Sequence, residues 1–256
     1  MRAETSSQVD QDGLGSADAL ASGSDHICAV LTAGTVVLKT LISQLHRPPL
    51  QEGLLASANY AGSFMAMQLL PPPPSPCTVT GTKGKGSTVR LIESALLAAG
   101  RPTVAFTSPH LISICERWRI DGVNAEAAEI ASRCTEVDVL ERSSGIALTY
   151  FERCFAVACL LATARPDVRF VVEVGLGGRL DCANALDAAV VVVTHLSRDH
   201  CAILGNTVFD IAREKLALAR PGKSLVIAPQ SADGERAVRE QIPFGSRPIW
   251  VNRRAH

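Results

Sequence analysis

Apolar and polar residues fall along this chain in blocks whose spacing predicts its elements. Between residues 27 and 45 the apolar positions Val30, Val37, Leu38, Leu41, Ile42 and Leu45 recur as on one buried helix face, and Pro48-Pro49 ends the pattern. A second helix is expected over 53–70. Pro71-Pro72-Pro73-Pro74-Ser75-Pro76 then reads as a stiff, extended spacer. Such a run can also dock in aromatic-lined grooves, but directly before a strand it reads as a connector.

After Pro76 short apolar runs alternate with helical segments. Strands are expected over 77–80, 103–106, 170–174, 190–193 and 225–228, and helices over 88–99, 125–140, 150–164 and 208–219. Gly100 with Pro102 just beyond stops the first of these helices, and Pro166 follows the third. Continuous Val-rich runs such as Val190-Val191-Val192-Val193 indicate strands covered on both faces. Strand, helix, strand in sequence implies an α/β fold, a parallel sheet flanked by helices with right-handed crossovers. The expected organisation is a disordered leader over 1–26, a helical segment with its Pro-rich connector over 27–76, a central domain over 77–240 and a tail over 241–256. The leader is mostly Ser, Asp, Gly, Ala and Gln, too few large apolar side chains to repay ordering.

Composition removes several classes of function. Lys plus Arg number 25 and so do Asp plus Glu, which argues against a nucleic-acid binder that works by neutralising many phosphates. The apolar runs are short and interrupted, well under the roughly 20 residues of a membrane span. The eight cysteines include no Cys-x-x-Cys pair and sit in or beside apolar segments, as reduced thiols do in an interior. The N-terminus carries Glu4, Asp10, Asp12, Asp18 and Asp25 against Arg2, unlike a secretory or mitochondrial presequence. A soluble, monomeric protein in the cytoplasm is expected, with the mitochondrion as the alternative compartment.

The richest chemistry lies in Thr80-Gly81-Thr82-Lys83-Gly84-Lys85-Gly86-Ser87-Thr88. A strand enters and a helix leaves, so glycines can wrap phosphates while the helix N-terminus supplies free N–H groups and a positive dipole end. Lys85 would reach the terminal phosphates, and Ser87 or Thr88 could offer a hydroxyl near magnesium. The common spacing G-x-x-x-x-G-K-[ST] is not met, since Gly86 follows Lys85. A merely flexible glycine loop is the bland competitor, and the two lysines between a strand and a helix weigh against it.

Thr80 to Thr88 resembles the phosphate loop of the Mur ligase superfamily. Lys83, where bacterial members usually have Asn, resembles the eukaryotic folylpolyglutamate synthases. Four further stretches are similar to that family's signatures: Thr107-Ser108-Pro109-His110-Leu111 with Glu116-Arg117 and Arg119-Ile120-Asp121-Gly122; Leu148 to Glu152; Glu173 to Asn184; and Asp199-His200 through Asn206-Thr207 to Lys215. The resemblance implies a P-loop-type ATP domain. Its implied reaction is an ATP-dependent addition of L-glutamate to the γ-carboxylate of tetrahydrofolate through an acyl phosphate. It implies Gly81, Thr82, Lys83, Gly84, Lys85, Gly86, Ser87 and Thr88 as the ATP cradle, and Ser108, Glu173 and His200 as ligands of two Mg2+ ions. Lys85, His200 and Lys215 follow as catalytic residues, Lys215 as a lysine carbamylated by carbon dioxide.

Each residue has a plainer reading. Ser108 before Pro109 could be turn chemistry, and Asp199-His200 a surface pair. Lys215 could be a solvated partner of Asp210 or Glu214 on its helix. Glu173, inside an apolar strand, is expensive unless paired or metal-bound. Ser197-Arg198 replaces the family's glycine and aliphatic residue before Asp-His. The family also has a C-terminal domain, which residues 242–256 are too short to form, so that domain is expected to be missing here. Dihydrofolate synthase activity is the closest alternative, and an inactive Mg-ATP-binding fragment the other.

Overall fold

The computed structural model describes residues 66–251. The expected leader over 1–26, the helix over 27–45 and most of the helix over 53–70 lie outside the described residues. Residues 66–68 are helical, and 71–76 carry no regular structure on the way into the first strand.

Eight strands form one sheet: β1 (Cys77–Thr80), β2 (Thr103–Phe106), β3 (Trp118–Ile120), β4 (Val123–Asn124), β5 (Arg169–Glu173), β6 (Val190–Val193), β7 (Ser224–Ile227) and β8 (Arg247–Trp250). Their spatial order is β4-β3-β2-β5-β1-β6-β7-β8. The six strands from β2 to β8 in that order run parallel, and β3 and β4 add an antiparallel edge. The helices are α1 (Lys85–Ala98), α2 (Ala127–Ser144), α3 (Tyr150–Thr163), the short α4 (Cys201–Leu204), α5 (Val208–Leu216) and α6 (Ala232–Gln241). None of the described helices is long and apolar enough to cross a membrane.

The central strands are buried as their Val-rich sequences require: Val79, Val171, Val172, Val191 and Val193 are sealed from solvent. On one face Phe106 packs on Trp118, Phe151 and Phe155, with ring centroids 5.8–6.5 Å apart, and the Trp118 indole N–H donates to the Cys154 carbonyl at 2.9 Å. Helix α3 is buried along most of its length. It starts at a reciprocal Thr149–Glu152 cap, in which the Glu152 carboxylate accepts the Thr149 N–H at 2.7 Å.

Two parts of the sheet were not expected. The β3–β4 hairpin turns at Asp121-Gly122, both with positive φ, a pairing that a two-residue hairpin turn favours. Strand β8 lies in the stretch read as tail and pairs in parallel with β7. Its sequence, Arg-Pro-Ile-Trp, has no Val run because an edge strand is half exposed; Trp250 is covered by Arg239, whose guanidinium lies 4.3 Å from the ring centroid. Helix α1 also begins three residues earlier than its apolar pattern, at Lys85, just after Gly84 takes φ 85°.

Among the described residues an ionic cluster is buried between α2 and α3. Arg153 of α3, 1% exposed, pairs with Asp138 at 2.5 Å and with Glu141, both on α2. Removing one member of such a cluster leaves a buried charge uncompensated. Arg153→Ala is therefore expected to lower unfolding free energy by about 3–5 kcal/mol, read as a drop in the urea midpoint; a loss under about 1 kcal/mol would contradict the account.

Candidate active site

The site forms where the carboxyl ends of β1, β5 and β6 meet the N-terminus of α1, the position at which parallel sheets gather ligands. Gly81 leaves β1 with φ 141°, and a Cβ there would overlap the Thr194 hydroxyl. Only glycine lets the loop pass this close to the end of β6. Thr82 then ties the loop to the segment after β6. Its N–H donates to the His195 carbonyl at 3.0 Å. Its hydroxyl donates to the Ser197 carbonyl at 2.9 Å and accepts the Ser197 N–H at 3.1 Å. The Thr82 side chain is thus a loop anchor.

Beyond that anchor the loop opens. Lys83 and Gly84 are exposed. Helix α1 starts with no N-cap side-chain bond and no acidic residue in its first turn; the Glu173 carboxylate takes the Gly86 N–H, and the rest of the positive end is open to a ligand. Thr88 turns its hydroxyl back to the Gly84 carbonyl at 2.7 Å. Ser87 is exposed, with no hydrogen bond among the described residues, so of the two hydroxyl candidates it is the free one.

Glu173 ends β5 against this loop and is 6% exposed. Its carboxylate accepts the Ser108 N–H at 3.0 Å, and a Cβ on Gly86 would lie 3.2 Å from its Oε2. Burial pushes its carboxyl above the ordinary range, while the Ser108 N–H, the Lys85 ammonium, the Gly86 N–H and Arg117 pull it back. Ser108 contributes its backbone here.

Lys215 is buried, not a solvated partner of its helix neighbours. Its ammonium donates to the Gly81 carbonyl at 2.8 Å, joining α5 to the loop. Burial, aided by Lys85, pushes it down to about 8, against the pull of Asp199 and Asp181. Asp181, buried, accepts the Gly175 and Leu176 N–H groups at 3.0 and 3.1 Å and the Ala183 N–H at 2.9 Å, fixing the turn after Glu173. That role was missed in the sequence, although an Asp ahead of a helical turn is an N-cap signal.

His200 is exposed with φ 49°, and its N–H donates to the Asp199 carboxylate at 2.9 Å. No contact joins it to Glu173 or Ser108 among the described residues. Arg198 is exposed and unpaired there as well. No group of three His, Cys, Asp or Glu side chains able to hold a metal occurs among the described residues. The donor set still fits magnesium, which is commonly held by one or two carboxylates together with substrate phosphates. A buried carboxylate raised by desolvation is the group such an ion would favour.

An uncapped helix start after a glycine turn, a lysine in its first turn and a buried carboxylate at the sheet's carboxyl end define an α/β domain whose site suits an anionic ligand. The comparisons narrow this. The chain is 41% identical over 168 residues to the dihydrofolate synthase/folylpolyglutamate synthase of Escherichia coli, a match covering 64% of this chain and 39% of that protein. The solved structure of E. coli FolC in complex with DHPP and ADP superposes with a TM-score of 0.66 at 32% identity, over 85% of this chain and 51% of that one. The Yersinia pestis bifunctional folylpolyglutamate synthase/dihydrofolate synthase complexed with AMPPNP and Mn ion gives a TM-score of 0.69 at 32% identity, over 83% and 51%. The chain is a homologue of the folylpolyglutamate/dihydrofolate synthases and matches their N-terminal domain. It spans two fifths to half the length of these relatives. A family model described as site-specific recombinase matches residues 23–72, about a fifth of the chain, of which only 66–72 are described.

Lys215 supplies a pH test. The folded ammonium deprotonates near 8 and an unfolded lysine near 10.5, so between these values the unfolded chain holds the extra proton and stability rises with pH. In carbon-dioxide-depleted buffer, the urea midpoint of the native protein should rise relative to that of Lys215→Met from pH 8 to 10. Parallel profiles would contradict the assignment.

Proposed function

We propose that this domain binds Mg-ATP for a ligase that adds L-glutamate to the γ-carboxylate of tetrahydrofolate. The observation that carries the reading is the N-terminus of α1 set against the buried Glu173 carboxylate, with the Lys85 charge felt by both Glu173 and Lys215. Related structures that hold ADP, AMPPNP with Mn ion, and L-glutamate support it.

In this reading Gly81 to Thr88 cradle the phosphates, with the α1 N–H groups and Lys85 facing the charge that develops on the transferring phosphoryl group. Glu173 and Ser87 would hold magnesium, with Ser108 and His200 proposed as further ligands of two ions, and the metal would supply neutralisation of phosphate charge. The folate carboxylate takes the γ-phosphoryl group, ADP leaves, and the glutamate amine displaces phosphate from the acyl phosphate to form the amide. Lys215 has a lowered ammonium value, so a substantial neutral fraction is present near pH 8 to react with carbon dioxide. Its carbamate would keep one N–H for the Gly81 carbonyl and add an anionic ligand beside Lys85.

The second reading is dihydrofolate synthase activity, with dihydropteroate as the acceptor, since the relatives carry both activities in their names. Comparing the two acceptors in glutamate-dependent ADP release separates the readings. Mg-ATP binding without release for either acceptor would contradict ligase activity in this chain. Lys85→Ala is expected to weaken ATP binding by at least about tenfold, measured by calorimetry; unchanged affinity would contradict the phosphate-loop assignment. Carbon-13-labelled bicarbonate should give a carbamate carbon resonance that Lys215→Met abolishes, and a spectrum identical in both proteins would contradict the modification.

A further inference from the structure

Arg117 and His110 have no part in the reading above, yet they sit beside it. Arg117, in the 3-10 turn Ile114–Arg117, is 7% exposed. Its guanidinium stacks on the Tyr150 ring, 5.4 Å from the centroid, and its charge is felt by Glu173. Its Nε–H donates to His110 Nδ1 at 3.0 Å. An arginine Nε can only donate, so Nδ1 of His110 must be the acceptor and the ring proton lies on Nε2.

The loop bearing His110 is itself fixed. Glu116 accepts the N–H groups of Leu111, Ile112 and Ser113 at 2.9, 3.0 and 2.7 Å. Two residues before His110, the Ser108 N–H is held on Glu173. His110 is partly exposed, and its Nε2 has no hydrogen-bond partner among the described residues and is not among their buried unpartnered atoms. An oriented N–H donor is therefore left open to solvent on the same loop that touches the Glu173 carboxylate.

We propose that His110 contacts the acceptor substrate, donating its Nε2–H to an oxygen of the carboxylate being activated, and that Arg117 is a positioning residue that holds the ring in this tautomer. The proposal rests on the ligase reading. In that reading the phosphates would face Lys85 and the α1 N-terminus, and the Ser108–His110 loop, which meets the same Glu173 carboxylate from the end of β2, is left for the acyl group. A neutral imidazole donor suits a carboxylate that becomes an acyl phosphate carbonyl, because it can donate to both without giving up its proton.

Two measurements on the full chain test it. Long-range nitrogen-15 spectra at neutral pH, with the His110 signals assigned by their loss in His110→Gln, should show a pyrrole-type Nε2 and a pyridine-type Nδ1. In Arg117→Met that preference should disappear; a ring protonated on Nδ1 in the native protein, or an unchanged tautomer in Arg117→Met, overturns the positioning role. Calorimetric titration of tetrahydrofolate into the Mg-AMPPNP form should show at least tenfold weaker binding for His110→Leu. His110→Gln, which keeps an N–H at similar reach, should bind within threefold of the native protein, with AMPPNP affinity unchanged in both. Equal tetrahydrofolate binding in the native and leucine proteins, or equal losses in both variants, overturns the contact while leaving the ligase reading standing. A native protein with the expected tautomer that binds AMPPNP but no tetrahydrofolate overturns the folate reading and this contact together.

Discussion

The site is organised around one buried carboxylate. Glu173 ends a strand whose preceding residues Phe170, Val171 and Val172 are sealed inside, so its charge is pressed into an apolar end of the core. Burial alone would favour the neutral acid. The structure instead surrounds it with the Gly86 N–H and Lys85 from the start of α1 and with the Ser108 N–H and Arg117 from the segment between β2 and β3. The glycine at 86, the approach of the loop after β2 and the start of α1 are all conditions on housing that carboxylate.

A second constraint is the closeness of β1 and β6. Gly81 can leave the sheet only against Thr194, and Thr82 is stitched to Ser197. Lys215 reaches the Gly81 carbonyl from α5. The Gly81–Thr88 loop is therefore braced from both β6 and α5, which would lower the ordering cost of binding a ligand there. Arg153 with Asp138 and Glu141 does comparable work between α2 and α3, away from the site.

The parallel core was readable because buried parallel strands must be continuously apolar, and each of the five expected strands is present within a residue of its place. The β3–β4 hairpin and β8 escaped because edge strands are short and half exposed, with Asp121-Gly122 the one local clue. At the site, glycine spacing and the lysines exposed the loop. No sequence pattern shows that Thr82 is an anchor, that Thr88 turns back on Gly84, or that Lys215 is buried, since each depends on a partner far along the chain or on a backbone turn. His200 kept its place on a turn beside Asp199 but shows no contact to Glu173, because an exposed turn has little packing to hold it there.

The central claim is that Glu173 and the α1 N-terminus together make a magnesium–nucleotide site. Its most direct test is the calorimetric affinity for AMPPNP with and without Mg2+ in the native protein and in Glu173→Gln, which keeps the side-chain shape and removes the charge. The account predicts that magnesium strengthens binding at least tenfold in the native protein and has little effect in Glu173→Gln. Equal magnesium enhancement in the two proteins would contradict it.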